Sequence, residues 1–83
     1  MPLYMDHHHK VEGLTAEAAA GAHQRDLEVQ GEHGVKYINY WFNEASGDIW
    51  CLVDAPNPEA AHTVHREAHG LVADEITEVK EGA

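Results

Sequence analysis

The sequence predicts an α+β sandwich with the element order βαββαβ, and three observations carry that reading. A strand-like N-terminal segment rich in Tyr, Met and His is followed by an alanine-rich run with helix-capping residues at its start. Two β-branched and aromatic runs then flank a glycine-containing turn, and an Asn-Pro-Glu signature opens a second helical run before a short final strand. At 83 residues the chain has room for one domain, residues 1–83, and a chain this small buries only about 60–65% of its unfolded surface.

Each element has its own signal. Leu3 to His9 alternates loosely and is followed by Gly13, which reads as a strand entering a turn. Thr15 is placed as an N-cap, with Glu17 near the positive end of the helix dipole, so the first helix runs from Ala16 to about Gln30. Gly31 and Gly34 bracket its end. Val35 to Phe42 and Ile49 to Val53 form a hairpin through the turn Asn43 to Asp48. Asn57, Pro58 and Glu59 start the second helix, which ends at Gly70, and Ile76 to Val79 is the last strand.

This order fits the ferredoxin-like split βαβ arrangement, a four-stranded antiparallel sheet with both helices on one face. Ile49, Cys51 and Val53 point one way while Trp50 and Leu52 point the other. In the second strand, strict alternation puts Val35, Tyr37 and Trp41 on one side and Ile38, Tyr40 and Phe42 on the other. A sheet apolar on both faces needs two covers, so a homodimer through the sheet is expected.

The composition narrows the function. A formal charge of −10 repels nucleic acid and anionic membranes and attracts cations. The apolar stretches are too short to cross a bilayer and the N-terminus lacks signal-peptide features, which gives a cytoplasmic expectation. Cys51 is the single cysteine, ruling out an intrachain disulfide and the Cys₄ or Cys₂His₂ zinc sites.

Eight histidines in so short a chain are the outlier. His7-His8-His9 is too short for the common affinity tag, and the other five are scattered. On the second helix His62, His65 and His69 share an arc of about 60°, and His65 and His69 have the i, i+4 spacing that lets two imidazoles grip one ion. On the first helix His23, Asp26 and Gln30 share a similar arc beside an inward line of Ala16, Ala20 and Leu27, and a His23–Asp26 hydrogen bond is the alternative to a ligand role. In the first strand Asp6 and His8 lie on one face and His7 and His9 on the other, and surface histidines without a role remain an alternative for at least one pair.

The topology brings the end of the first strand, the first half of the first helix and the end of the second helix to one edge. Asp6, His8, His23, Asp26, His65 and His69 are therefore the expected metal ligands. Imidazoles and carboxylates without thiolate suit Ni²⁺, Zn²⁺, Co²⁺ or Cu²⁺, and affinity should fall below about pH 6 as free imidazoles protonate. An enzyme is not expected. His65-Arg66-Glu67-Ala68-His69 matches neither H-E-x-x-H nor H-x-x-E-H, and Glu67 projects about 160–200° from the two histidines. Cys51, mid-strand among apolar residues, reads as an inert core thiol rather than a nucleophile. A competing reading is a small-molecule binder or dimeric α/β-barrel enzyme using the pocket between sheet and helices, with His23 and Asp26 as an acid/base pair.

Met5-Asp6 with His8, Ala22-His23 followed by Asp26-Leu27-Glu28, Gly34-Val35, Gly47 leading to Cys51-Leu52, Ala55-Pro56, Val64-His65 running to Ala73-Asp74-Glu75-Ile76, and Glu78-Val79 together carry a resemblance over nearly the whole chain. The sequence resembles small bacterial ferredoxin-like proteins of a domain of unknown function, in their nickel-binding branch. The resemblance implies a ferredoxin-like dimer that carries nickel near its surface, with sequestration or detoxification as its role. Asp6, His8, His23, Asp26 and His65 match the branch pattern. His69 departs from it, lying between Ala68 and Gly70 where the family has glycine before the histidine and proline after it. His7 and His9 are peculiar to this chain.

Overall fold

The computed structural model describes residues 2–82. Its elements are β1 (Leu3–His8), α1 (Ala16–Val29), a 3₁₀ turn (Gln30–His33), β2 (Lys36–Asn43), β3 (Asp48–Asp54), α2 (Pro58–Ala68) and β4 (Glu75–Val79). The strands form one sheet in the order β2-β3-β1-β4 with every neighbouring pair antiparallel. The fold is the expected ferredoxin-like α+β arrangement.

Local chemistry sets the helix boundaries. Thr15 Oγ1 accepts from the Ala18 amide at 3.0 Å, and Asn57 Oδ1 accepts from the Ala60 amide at 2.8 Å with Pro58 at the first helical position. Regular α-helix stops at Val29, one residue before the expected end, and the chain tightens into the 3₁₀ turn. It leaves that turn at Gly34, whose φ of 65° is the left-handed conformation glycine adopts at least cost.

The core lies between the sheet and the two helices. Tyr4, Ile49, Cys51, Val53 and Tyr37 from the strands meet Ala19, Ala61 and Val64 from the helices. On β1 burial alternates strictly, so Tyr4, Asp6 and His8 are the buried set. A carboxylate and an imidazole thus stand where an edge-to-core strand would ordinarily carry apolar side chains.

Two expectations about facing are corrected. In β2 a bulge shifts the register between Tyr37, opposite Val53, and Asn39, opposite Leu52. The extra residue, Ile38, resets the alternation. Tyr37, Tyr40 and Phe42 consequently all reach the helix-covered core, while Trp41 turns to the open face beside Trp50. In α1 the buried line runs through Ala19 and Asp26, with Ala22 and His23 half-buried between them, whereas Ala16, Ala20 and Leu27 are exposed. Small alanines all around the helix give the wheel little apolar contrast, so the polar arc assigned to the rim of the stripe is the stripe itself.

Candidate metal centre

α1, α2 and β1 converge on His65. The imidazole is 1% exposed and sits between two carboxylates that are equally buried. Its Nε2 lies 2.9 Å from Asp6 Oδ2, and its Nδ1 lies 2.9 Å from Asp26 Oδ1. Only an imidazolium donates from both nitrogens at once, so this geometry holds His65 charged. Burial pulls its pKa down, but the hydrogen bonds to Asp26 and Asp6 and their charges outweigh that and bring it up to about 9. Burial also works against ionisation of Asp6, and is outweighed by the hydrogen bonds and charges of His65 and His8, so the carboxyl titrates far below the usual range. Asp26 shifts down for the same reasons, with His65 and His69 as its partners.

His69, the C-cap of α2, completes the group. Its Nε2 is 3.1 Å from Asp26 Oδ1 and 3.1 Å from His65 Nδ1. The three atoms thus make a nearly equilateral triangle with edges of 2.9, 3.1 and 3.1 Å. Hydrogen bonding alone explains two of these edges. The Leu71 amide donates to His69 Nδ1 at 3.1 Å, which places the ring proton on Nε2. Two N–H groups then converge on one carboxylate oxygen, and the nitrogen–nitrogen edge has no attraction of its own.

The same triangle is what one face of a six-coordinate ion requires. Ligands bonded at about 2.1 Å and lying at right angles are separated by about 3.0 Å, against about 3.4 Å around a tetrahedral ion. Two imidazole nitrogens and one carboxylate oxygen are suitable donors for a borderline divalent metal. To present its lone pair, His69 must give up the Leu71 bond, a cost on the order of 1 kcal/mol. His65 needs only to lose its Nδ1 proton. Its Nε2–H then continues to donate to Asp6, the carboxylate–histidine–metal arrangement that fixes a ligand's tautomer and orientation. The Tyr37 hydroxyl, directed at Asp6 Oδ2 (3.2 Å) and the Ala61 carbonyl (3.1 Å), orients that carboxylate in turn.

The remaining predicted residues occupy different positions around this triad. His8 stands on the Asp6 side, with Nε2 3.4 Å from Asp6 Oδ1, and its ring packs edge-on to His65 at 4.9 Å. Asp6, His8, Cys51 and His65 also each place one ligand-type atom within 4.8 Å of the others. Burial, joined by the charge of Asp6, pushes the Cys51 thiol well above its ordinary pKa, so it stays protonated and poorly suited to bind as thiolate. His23 is not hydrogen-bonded to Asp26. Its ring leans on Tyr40 with centroids 4.7 Å apart, and its buried Nδ1 has no hydrogen-bond partner among the described residues.

A cavity of about 20 Å³ joins these groups, lined by His8, His23, Asp26, His65, His69 and Cys51 together with apolar side chains. That space has room for one water or one ion. The Nδ1 of His23, a residue of the cavity wall, is a buried polar atom without a hydrogen-bond partner among the described residues that such an occupant would satisfy. Sequence reasoning missed Tyr37 as a neighbour of the centre, because the aromatic runs of β2 carry no sign of which hydroxyl reaches a buried carboxylate.

Comparison with known proteins places the chain. Residues 4–79 match the family model described as nickel responsive protein SCO4226-like. The crystal structure of SCO4226 from Streptomyces coelicolor A3(2) superposes with a TM-score of 0.90 at 41% identity, covering 98% of this chain and 99% of that one. No curated protein matches. The chain belongs to the nickel-responsive SCO4226-like family.

Proposed function

We propose that this protein is a non-enzymatic nickel-binding protein that sequesters the ion, with Asp26, His65 and His69 as its principal ligands. The observation that carries the reading is the triangle of donor atoms at 2.9–3.1 Å, which has the dimensions of a metal-coordinating face and includes a contact hydrogen bonding does not explain. The family's description as nickel responsive supports nickel among the ions this donor set accepts. Asp6 and His8 orient and screen His65 from the far side, and His23 stands in the cavity wall as an additional donor. The alternative acid/base role for His23 and Asp26 finds little support, since a cavity of about 20 Å³ has no room for an organic substrate.

Titration of tag-free, chelator-treated protein with Ni²⁺ in a calorimeter tests the reading. The expected outcome is a tight binding phase that His69→Ala weakens by about 100-fold or more, the upper range of what disturbing even an outer partner costs. An isotherm for His69→Ala that overlays the parent's would refute the ligand assignment.

The working form in this proposal is a homodimer in the cytoplasm. No described helix is long and apolar enough to cross a membrane. The open sheet face presents Met5, Trp41 and Trp50 around a shallow apolar groove, and Trp41 is 47% exposed. A patch of this kind on a chain of charge −10 is best covered by a like surface, because copies that repel at long range need apolar contact to associate. Sedimentation velocity should give twice the chain mass for the parent and the single-chain mass for Trp41→Glu. A parent that sediments as a single chain ends this part of the proposal.

A further inference from the structure

β1 carries ligand-type side chains on both of its faces, and the metal reading uses only the inner one. We propose that His7, His9, Asp48 and Glu75 form a second, surface site for a divalent transition metal, on the opposite side of the sheet from the buried triad.

Strand geometry assembles these residues. His7 pairs with Trp50 of β3 on one side and with Glu75 of β4 on the other. Asp48, two residues before Trp50, lies on the same face. His9, two residues beyond His7, continues the line past the end of the strand. Three neighbouring strands therefore deliver two imidazoles and two carboxylates to one end of the open face.

The distances form a closed circuit. His7 Nε2 and His9 Nδ1 approach the same oxygen, Asp48 Oδ1, at 3.1 and 3.3 Å. The other two ring nitrogens face the two oxygens of Glu75, His7 Nδ1 to Oε2 at 3.9 Å and His9 Nε2 to Oε1 at 3.5 Å. The ring centroids of His7 and His9 are 3.9 Å apart, with one nitrogen from each ring and a Glu75 oxygen all within 4.8 Å. Asp48 and Glu75 meet opposite nitrogens of the two rings, so a single ion takes one nitrogen from each ring and the Glu75 carboxylate, at bond lengths of about 2.0–2.2 Å, while Asp48 holds and orients the rings from their other side.

The supports are independent of those of the buried centre. Trp50 stacks on the His7 ring at 4.7 Å and 22°, which limits that ring's motion. Asp74 ties the backbone on both sides, with its amide donating to the His7 carbonyl at 3.0 Å and its Oδ2 accepting from the His9 amide at 2.7 Å. A third carboxylate beside the site adds to its attraction for cations, and two imidazoles favour a borderline transition metal over calcium or magnesium. His9 and Glu75, the more exposed donors at the end of the face, leave this site open to solvent on one side, while the buried triad is enclosed.

Trp50 supplies a reporter, because Ni²⁺ bound by the stacked His7 ring quenches its fluorescence. The test is a Ni²⁺ titration of the tag-free, chelator-treated full chain, followed by both tryptophan fluorescence and calorimetry. The parent is expected to take up two ions per chain, one of them quenching. His7→Ala/His9→Ala should lose the quench and one ion while keeping the other calorimetric phase. Asp26→Asn should do the reverse, so failure of the buried site and failure of this one are read separately. Asp48→Asn/Glu75→Gln retains both rings and the fold, and should shift the quench midpoint at least about tenfold. An unchanged quench and stoichiometry in the two double variants would overturn the proposal.

Discussion

His65→Ala is expected to destabilise the chelator-treated protein by about 3–5 kcal/mol and to abolish the tight nickel phase. The side chain is the cation between two buried carboxylates, and its removal leaves Asp6 and Asp26 facing each other's charge across a cavity. Breaking such a group by deleting one partner costs more than the intact group contributes, because the remaining charges are left unpaired. A chain of 83 residues has on the order of 4–12 kcal/mol of total stability. A loss of that size lowers the melting temperature by roughly 15–30 °C.

Loss of nickel binding in an unfolded variant proves nothing about ligands, so a compensated variant separates the two effects. Asp6→Asn/Asp26→Asn/His65→Leu removes all three charges together and keeps the volume roughly constant. Replacing a buried ionic group in this way is often neutral or stabilising, so the melting temperature should return to near the parent's. Tight nickel uptake should not return. Thermal melts by circular dichroism alongside calorimetry check both halves. A compensated variant that still binds nickel tightly would place the ion elsewhere.

This arrangement also explains which parts of the molecule the sequence makes legible. Helix starts are written in local chemistry, and Thr15 and Asn57 cap the helices where their side chains say they should. Strand order follows from chirality and connection rules, which need no side-chain detail. Facing is harder, because one bulged residue at Ile38 reverses the inward set of β2 from there on. In α1 the alanine background hides the buried stripe, and the hydrophobic signal points to Ala16, Ala20 and Leu27 although Asp26 is the buried residue.

Five of the six expected ligand positions, His8, His23, Asp26, His65 and His69, line one cavity, and Asp6 stands behind His65, so their roles are not equivalent. His65 reaches both Asp6 and Asp26 with opposite nitrogens, so the group divides into a coordinating side and an orienting side. Periodicity can place residues on a face and topology can bring faces together. Neither specifies which nitrogen of a ring meets which oxygen, and the division between ligand and support depends on that.

The protonation of His65 sets a second large effect, in which metal affinity and stability of the chelator-treated protein change in opposite directions with pH. Free imidazoles predict that affinity is lost only below about pH 6. Here the two carboxylates hold the His65 proton until about pH 9, and the ion must displace it from Nδ1. Nickel affinity should therefore rise by about tenfold per pH unit from neutrality up to that value. Calorimetry in buffers of differing ionisation enthalpy should show about one proton released per ion from this residue.

Stability of the chelator-treated protein follows the opposite sign. A folded pKa raised from 6.5 to about 9 contributes stability that is fully present below 6.5 and lost as pH climbs through 9. The depressed carboxyls of Asp6 and Asp26 contribute stability that is present above their ordinary value of 3.8 and lost on acidification below it. Maximum stability without metal is expected between about pH 4 and 6.5, falling by roughly 2–3 kcal/mol toward pH 9. Nickel should reverse that decline, because above neutrality the ion takes over from the proton as the positive charge between Asp26 and His65. A melting temperature that stays level from pH 6 to 9 without metal, or a nickel affinity that stays level over the same range, would mean that His65 does not carry the exchangeable proton.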